Sequence, residues 1–238
     1  GYQSYLSDVA VSGGLAYLAS SSNLVNWVSV IDVSDPENPE WVGKFYSGEA
    51  ADVQALPGFA FVVTSSSLRA YDLGDPAAAE LVANVAVSSC FSPSLHLADG
   101  LGFLSCGSIG LMVFDLSDPF NPVEIGSFDW EISMARGLDI DSQYAYVTDF
   151  GGFHVVDVSD PAAPVVAGTY DDEQSYFPNE VHVSGGYAYV TGNDYILRVF
   201  DVDDPGQPIL VGELYEAAAE TFKIEVYAGY AYLTQGLA

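Results

Sequence analysis

One five-residue pattern divides the chain into units of nearly constant length. The pattern Asp-x-x-Asp-Pro ends at five prolines, Pro36, Pro76, Pro119, Pro161 and Pro205, which lie 40, 43, 42 and 44 residues apart. An aromatic residue that follows a small one recurs with the same period, at Tyr17, Phe61, Phe103, Tyr146, Tyr189 and Tyr232. A fixed period of this size indicates a chain built from repeated structural units.

Each unit is predicted to form four short β-strands. In the fourth unit the apolar runs cover 137–140, 144–147, 153–158 and 165–170, and Gly, Pro, Asp and Ser fill the turns between them. Val, Ile, Tyr and Phe dominate the runs, which favours strands over helices. Four strands in about 42 residues match one blade of a β-propeller. We therefore predict an all-β chain, a β-propeller of four-stranded antiparallel blades with five full blades and two strands of a sixth.

The predicted propeller occupies residues 1–238 as a single domain. Its blades are expected at 5–47, 48–88, 91–129, 135–171 and 178–216, with a partial blade at 221–238. An open array of the same units is the alternative, but it would need capping repeats with polar outer faces, and neither end of the sequence looks polar. Because the sixth unit has only its first two strands, we expect the sequence to be a fragment of a longer chain.

The segment Val155-Val156-Asp157-Val158-Ser159-Asp160-Pro161 and its four copies closely resemble the LVIVD repeat of bacterial and archaeal cell-surface proteins. The resemblance extends over nearly the whole chain. It implies a β-propeller and an extracellular or cell-surface location, but it implies little about activity, because that family is defined by its repeat. One departure from the pattern is Ala83, which stands where Gly43, Gly126, Gly168 and Gly212 recur.

The charge of the chain excludes several kinds of partner. It contains 33 Asp and Glu residues against 5 Lys and Arg, for a formal net charge of -28. This sign is wrong for neutralising a phosphate backbone or an anionic membrane surface, so we expect no nucleic-acid partner. No apolar run approaches the roughly 20 residues that a membrane-spanning helix needs, so no membrane span is predicted.

The two Asp residues of each repeated pattern have two interpretations. An Asp side chain accepts hydrogen bonds from backbone amides two residues on, and the proline after the second Asp fixes φ, so a tight turn explains both residues. Alternatively the carboxylates bind Ca²⁺, which needs six to eight converging oxygens. Evenly spread pairs do not converge. We therefore predict structural turns and no required cofactor, with a calcium-stabilised surface scaffold as an alternative.

Polar residues recur in the first strand of each unit, which is expected to line the central channel. The middle position of this strand reads Ala10, Gln54, His96, Asp139, His182 and Glu225 along the chain. Two residues earlier, on the same strand face, it reads Asp8, Asp52, Ser94, Gly137, Glu180 and Lys223. Our ligand-binding candidates are Asp52, Gln54, His96, Asp139, Glu180, His182 and Glu225. They either form the polar wall of a water-filled channel or bind a small ligand, and His96, Asp139 and His182 are candidate metal ligands.

The loops that lead from a fourth strand to the next first strand are the expected recognition surface, because loops on a rigid scaffold usually carry binding residues. Two of them combine aromatic residues with carboxylates, and we add Trp130 and Tyr176 to the ligand-binding candidates. The expected partner there is a protein or a carbohydrate. The alternative is that these aromatic side chains simply pack over the blade edges. Trp27 and Tyr195 could share that face.

The two cysteines of the chain lie on opposite arms of one predicted hairpin. Cys90 precedes the first strand of the third unit, and Cys106 ends its second strand. A disulfide between them is predicted, with two buried thiols as the alternative.

No catalytic motif is recognisable in the sequence. A nucleophile elbow, a Walker loop and the metalloprotease pattern are all absent, and the three histidines have no fixed partner. We therefore assign no catalytic residue and expect a secreted or cell-surface module that binds a partner or serves a structural role, within a larger surface assembly. The alternative is a carbohydrate-active hydrolase or lyase that uses Asp139, His96 and His182 at the channel mouth.

Overall fold

The computed structural model describes residues 5–21, 26–87, 90–129, 134–171, 178–194, 196–215 and 221–235. These ranges form β-strands β1 to β22, and their only helical element is a single 3₁₀ turn at Pro76–Ala78. This agrees with the all-β composition predicted from the strand-forming residues of each repeat. The same ranges contain no helix that is long and apolar enough to cross a membrane.

The strands form five four-stranded antiparallel sheets and one two-stranded sheet, as the repeat predicts. Sheet 1 consists of β1 (Tyr5–Ser12), β2 (Leu15–Ser21), β3 (Trp27–Asp32) and β4 (Glu40–Tyr46). Sheet 2 consists of β5 (Ala50–Leu56), β6 (Phe59–Thr64), β7 (Ser67–Asp72) and β8 (Glu80–Ala86). Sheet 3 consists of β9 (Ser94–Ala98), β10 (Leu101–Cys106), β11 (Gly110–Asp115) and β12 (Val123–Phe128).

The remaining sheets follow the same order along the chain. Sheet 4 consists of β13 (Leu138–Asp141), β14 (Tyr144–Thr148), β15 (Gly152–Asp157) and β16 (Val165–Asp171). Sheet 5 consists of β17 (Pro178–Ser184), β18 (Tyr187–Gly192), β19 (Ile196–Asp201) and β20 (Ile209–Tyr215). Sheet 6 consists of β21 (Thr221–Tyr227) and β22 (Tyr230–Gln235). In each sheet, consecutive strands are hydrogen-bonded neighbours.

The first two strands of several sheets are joined by two-residue turns with positive φ. Gly13 and Gly14 have φ of 60° and 80°, and Gly185 and Gly186 have φ of 62° and 81°. Positive φ at both central residues is typical of the type I′ turn, whose twist suits an antiparallel hairpin. Glycine adopts this conformation without steric cost, which explains why Gly-Gly recurs at these turns.

The chain divides into two compact units, which we treat separately. The first unit comprises Gly1–Phe103 and Phe114–Glu124, and the second comprises Leu104–Val113 and Ile125–Ala238. Within each unit, successive sheets pack face to face. We call the face of a sheet that packs on the next sheet its forward face, and the opposite face its rear face.

The hydrophobic core lies between these faces. In the first unit it joins the forward face of sheet 1 (Tyr17, Val28, Val30 and Phe45) to the rear face of sheet 2 (Val53, Val62 and Tyr71). In the second unit it joins Tyr146, Phe153 and Val155 of sheet 4 to Val181, Val190 and Phe200 of sheet 5. Full burial of each large side chain contributes roughly 1.5–3 kcal/mol. Burial also raises the pKa of Tyr146 to about 12, so its hydroxyl stays protonated at neutral pH.

A glycine in the fourth strand lies directly under the Asp-Pro turn of the following sheet. A Cβ atom on Gly43 would lie 2.9 Å from the backbone of Ala77. On Gly126 it would lie 2.2 Å from the carbonyl oxygen of Pro161, and on Gly168 it would lie 2.2 Å from that of Pro205. These distances leave no room for a side chain, so the glycines let consecutive sheets approach closely. We call this arrangement the glycine contact.

The repeated Asp residues form the turns between third and fourth strands. In all ten cases the Oδ1 atom accepts a hydrogen bond of 2.7–3.1 Å from the backbone amide two residues on. The ten residues are Asp32, Asp35, Asp72, Asp75, Asp115, Asp118, Asp157, Asp160, Asp201 and Asp204. The prediction of structural turns is thereby confirmed.

Candidate functional site

The candidate site consists of the polar residues on the first strands of the sheets. In the first unit β5 lies beside β1 and β9, and in the second unit β17 lies beside β13 and β21. Polar side chains on neighbouring first strands are thereby brought within reach of one another. Most of them contact the next sheet.

Three carboxylates each accept a hydrogen bond from a backbone amide in the first strand of the next sheet. Oδ2 of Asp8 accepts a hydrogen bond of 3.0 Å from the Val53 amide, and Oδ2 of Asp52 accepts one of 3.1 Å from the Leu95 amide. In the second unit, Oδ2 of Asp139 accepts one of 2.7 Å from the Val183 amide. We call Asp8, Asp52 and Asp139 the inter-sheet carboxylates. A charged acceptor makes such bonds stronger than those between neutral groups.

Asp139, His182 and Glu225 form a row across three successive first strands. Nδ1 of His182 lies 3.6 Å from Oδ2 of Asp139 and 3.8 Å from Oε2 of Glu225. Asp139 is largely buried, whereas the Glu225 side chain is 70% exposed. Both carboxylates approach the same nitrogen, so they hold the imidazole between sheets 4, 5 and 6.

Glu180 and Lys223 join sheets 5 and 6 at the neighbouring position. Nζ of Lys223 lies 3.5 Å from Oε1 of Glu180. Both residues occupy the position two residues before the middle of their first strands. Glu180 is one of the ligand-binding candidates predicted above, and the structure shows that its side chain contacts a neighbouring sheet.

Asp52, Gln54 and His96 lie in the first unit, on β5 and β9. Asp52 is almost fully buried and also accepts a hydrogen bond of 3.2 Å from the Ser94 hydroxyl. Gln54 and His96 are half-buried. Across the described ranges, no three side chains of His, Cys, Asp or Glu form a group that could hold a metal ion.

The aromatic loop candidates Trp130 and Tyr176, together with Tyr195, lie outside the described residues. Trp27 lies within them and packs edge-on against Tyr46, with a centroid separation of 5.9 Å. The Lys44 ammonium lies 4.6 Å from the centroid of the Trp27 ring. For Trp27, packing at the sheet edge is therefore what the structure shows.

Neither Cys90 nor Cys106 is a free thiol, and both are buried. Their pairing with each other stays a prediction, for which we give a measurement below.

Sheet 4 contains a buried carboxylate–imidazole pair that was not predicted from the sequence. Nε2 of His154 lies 3.3 Å from Oδ2 of Asp149, and both side chains are almost completely buried. Oδ1 of Asp149 accepts hydrogen bonds from the amides of Gly151 and Gly152, at 2.7 and 2.9 Å. The pair thus fixes the turn between β14 and β15.

A signal for this pair exists in the aligned repeats. One position of the third strand, three residues before the first Asp of the repeated pattern, is polar in most repeats although its neighbours are apolar. Along the chain this position is occupied by Ser29, Arg69, Met112, His154 and Arg198. Arg198 is buried like His154, and its guanidinium contacts Asp194 at 2.7 Å and Glu213 at 3.3 Å. A polar residue that recurs inside a buried strand indicates that a hydrogen-bonding or ionic partner lies nearby, because buried polar groups are rarely left without one.

Comparison with solved structures places this arrangement in a known fold. A functionally unknown protein from Desulfotomaculum acetoxidans matches with a TM-score of 0.75 and 15% identity, over 92% of this chain and 72% of that chain. A protein from Lactobacillus plantarum matches with a TM-score of 0.75 and 14% identity, over 92% and 74%. The computationally designed Ika8 protein matches with a TM-score of 0.74 and 12% identity, over 99% and 69%. The protein is therefore an all-β repeat protein of the β-propeller class.

Its family follows from the repeats themselves. The model of the LVIVD repeat matches residues 5–46, 107–130, 133–172 and 179–215, which is more than half of the chain. The chain belongs to the LVIVD repeat family, as the repeated Asp-x-x-Asp-Pro segment predicted. A search of the curated proteins found no match.

Proposed function

We propose that the protein is a secreted or cell-surface β-propeller that acts as a non-catalytic binding or structural module. The observation that carries this proposal is the set of hydrogen bonds made by the inter-sheet carboxylates. Asp8, Asp52 and Asp139 each bond to a backbone amide of the next sheet. Asp139, one of the three residues named for the catalytic alternative, and Asp52, a ligand-binding candidate, therefore join neighbouring sheets.

Asp139 illustrates why this arrangement favours a structural role. Its Oδ1 accepts a hydrogen bond of 2.9 Å from the Ile140 amide, and its Oδ2 accepts the bond from Val183. A general acid or base has to exchange a proton with its substrate over a hydrogen-bond distance. A carboxylate whose two oxygens both accept hydrogen bonds from backbone amides is instead suited to fix the positions of strands.

We further propose that the partner of this module is a protein or a carbohydrate, and that it binds at the connecting loops. The net charge of -28 favours a partner segment that carries positive charge, because a strongly charged surface steers opposite charges toward it. This charge also keeps the module soluble at a cell exterior.

The structural role of Asp139 can be measured directly. We expect Asp139→Ala to lower the free energy of unfolding by about 1–3 kcal/mol, because it leaves the Val183 amide without its acceptor. Glu225→Gln is the matched control: it alters an exposed carboxylate of the same row, and we expect a change within about 0.5 kcal/mol. Urea unfolding followed by fluorescence gives both values. Equal effects of the two substitutions would contradict the structural role.

The catalytic alternative has its own test. The wild-type protein is incubated with a panel of acidic and neutral polysaccharides, and the appearance of reducing ends or unsaturated products is followed. We expect no turnover. Turnover that disappears in His182→Ala, a variant that retains cooperative unfolding, would overturn the proposal in favour of a carbohydrate-active enzyme.

The proposed location is tested on intact cells of the source organism. Brief treatment with a broad-specificity protease, followed by mass spectrometry of the released peptides, should recover peptides of this chain. A cytoplasmic marker protein is the control for lysis. Recovery of the chain only after lysis would refute a surface location.

A further inference from the structure

One arginine of the second unit carries a charge that no described carboxylate neutralises. The unit contains three Lys and Arg residues, which are Arg136, Arg198 and Lys223. The guanidinium of Arg198 contacts Asp194 at 2.7 Å. The ammonium of Lys223 contacts Glu180 at 3.5 Å. Arg136 makes no ion pair with any residue that the structure describes, although the chain contains 33 acidic residues.

The Arg136 side chain is also partly removed from water. Its Nε atom is buried and has no hydrogen-bond partner among the described residues. Its Cζ atom lies 4.5 Å from the centroid of the Phe150 ring, whose face attracts a cation. Burial lowers the pKa of the guanidinium, because desolvation disfavours the charged form. An unpaired charge in such surroundings is costly, and an anionic ligand would relieve the cost.

The guanidinium lies at the ends of sheets 4 and 5 that carry the connecting loops. Arg136 ends the connection from β12 to β13, where its amide donates a hydrogen bond of 2.9 Å to the Thr148 carbonyl. Phe150 lies in the turn between β14 and β15, and Asn193 lies in the turn between β18 and β19. Asn179 belongs to the start of β17. The surrounding residues therefore come from both sheets.

Two asparagines extend from the guanidinium in a directed chain of hydrogen bonds. Nη1 of Arg136 donates to Oδ1 of Asn179, and Nδ2 of Asn179 donates to Oδ1 of Asn193. Arginine has no acceptor, so it contacts only the oxygen of the Asn179 amide and turns the amide nitrogen toward Asn193. The nitrogen of Asn193, an exposed residue, is then left to donate outward. The chain thus offers donors, which suits a ligand that accepts hydrogen bonds.

We propose that Arg136, Asn179 and Asn193 bind the carboxylate at the carboxyl terminus of a partner polypeptide. We call these three residues the carboxylate site. A guanidinium matches the planar geometry of a carboxylate, and charge-assisted hydrogen bonds of this kind are stronger than neutral ones. The inference rests on the proposed function, because the site lies at the connecting loops to which that proposal assigns the partner.

The net charge of the protein favours a peptide terminus over an acidic polysaccharide. A polymer of uronic acids repeats its negative charge, and a protein with a net charge of -28 repels it. A polypeptide presents one terminal carboxylate and can carry Lys or Arg residues beside it, which an acidic protein attracts. Capture of a terminal carboxylate is a recurring mode of peptide recognition.

The experiment uses an array of lysine-containing hexapeptides that are tethered through their amino ends, each with a free or an amidated carboxyl terminus. The array is probed with the whole 238-residue chain. The sequence that binds most strongly is then titrated as a soluble peptide by isothermal calorimetry. We expect the free acid to bind at least about tenfold more tightly than the amide, and we expect Arg136→Met to abolish this difference.

Arg198→Met is the matched control for folding. It leaves Asp194 and Glu213 without the guanidinium that they contact, so we expect a lower melting temperature. Arg136→Met removes a charge without a described carboxylate partner, so we expect a clearly smaller decrease. Equal decreases would show that carboxylates of the chain itself already neutralise Arg136, and would overturn the proposal.

The remaining outcomes separate this inference from the proposed function. Equal binding of the free acid and the amide would leave the binding role standing and would overturn the carboxylate site. Absence of binding by both forms would overturn the carboxylate site and count against a peptide partner at the loops. A galacturonate hexamer that displaces the peptide from wild type would assign the site to a polysaccharide carboxylate, and would also overturn the proposal.

Discussion

At the scale of single residues, the repeated aspartates define the protein more than any other side chain. In each Asp-x-x-Asp-Pro pattern, both Asp carboxylates accept a hydrogen bond from the backbone amide two residues on. The same short sequence therefore closes the same turn in five sheets. Hydrogen bonds from the serine two residues on, first from its hydroxyl and then from its amide, lower the pKa of Asp32, Asp115 and Asp157. For Asp157 the Ser159 hydroxyl is the larger cause and the Ser159 amide the smaller one.

The lowered pKa of Asp157 predicts a pH-dependent contribution to stability. A carboxyl group whose pKa is lower in the folded state contributes stability above its unfolded-state pKa, and this contribution is lost as the pH falls through the folded-state value. We therefore expect Asp157→Ala to be less stable than wild type at pH 6, and we expect the difference to shrink as the pH falls below the ordinary value of 3.8. Urea unfolding at pH 6, 5, 4 and 3 measures it.

Two further variants serve as controls for this measurement. Asp157→Asn keeps an oxygen acceptor for the turn and should retain more stability than the alanine variant at pH 6. Glu124→Gln removes one exposed charge outside the turns and controls for the reduced net charge. A difference between wild type and Asp157→Ala that stays constant with pH would contradict the prediction.

The sequence predicted the role of these residues because the bond lies within the turn. An amide two residues away is a local partner, which the pattern alone identifies. The Asp149–His154 pair was not predicted, because the turn that joins its two residues had to be known first. The partner of Asp139 was not predicted either, since Val183 belongs to another sheet.

At the scale of elements, the sheets are joined by polar bonds at their first strands and by glycine contacts at their fourth strands. The first strands use carboxylates that accept amides across the interface. The fourth strands β4, β12 and β16 each carry a glycine at this contact, and its lack of a side chain allows the next turn to approach to backbone distance. The strand boundaries followed from the alternation of apolar runs and turns. The position of one sheet relative to the next could not be predicted in this way, because the alternation within a strand carries no information about the sheet that packs on it.

The glycine contact predicts that one substitution destabilises the protein at one of two equivalent positions and has little effect at the other. Gly168→Val places a side chain against the Pro205 carbonyl, and overpacking of this kind costs roughly 1–3 kcal/mol or more. Among the described residues Gly212→Val meets no such neighbour, and we expect the free energy of unfolding to change by no more than about 0.5 kcal/mol. Chemical denaturation of the two variants compares them. Similar losses at both positions would show that the glycines serve only the strands in which they lie.

The cysteines also belong to this scale, because they flank a hairpin of sheet 3. We expect alkylation of the unfolded protein to modify no cysteine without reductant and two cysteines after reduction. Intact mass spectrometry counts the added groups. Alkylation without reductant would contradict a Cys90–Cys106 disulfide.

At the scale of the whole molecule, charge and repetition are the dominant features. The period in the sequence correctly predicted five four-stranded sheets and a two-stranded one, because each repeat supplies its own turns and its own apolar faces. The net charge is a property that no single repeat determines. Its consequence is repulsion spread over the molecular surface.

This repulsion predicts a stabilising effect of salt. Raising the salt concentration from about 0.01 M to about 1 M shortens the screening length from about 30 Å to about 3 Å. We therefore expect the melting temperature to increase by several degrees in both NaCl and KCl. A calorimetric scan at each concentration measures the shift. An increase in only one of the two salts would indicate specific ion binding in place of general screening.

Removal of divalent cations gives the companion prediction. The ten turn carboxylates already accept hydrogen bonds from the backbone amides of their own turns and need no calcium ion for this. We therefore expect a chelator such as EDTA to leave the melting temperature unchanged. Dialysis against EDTA, followed by re-addition of CaCl₂ at constant ionic strength, isolates the effect of calcium. A fall of several degrees that CaCl₂ reverses would support a calcium-stabilised scaffold.

The glycine contact also constrains how such a chain can lengthen or shorten during evolution. The fourth strands β4, β12 and β16 fit the turn that comes after them, so these repeats are matched to the next repeat at their junction. Recombination between equivalent points of two repeats preserves every junction and changes the gene by one whole repeat. Recombination between non-equivalent points sets a bulky residue beneath a turn. This geometry therefore favours the gain or loss of whole repeats of 40–44 residues.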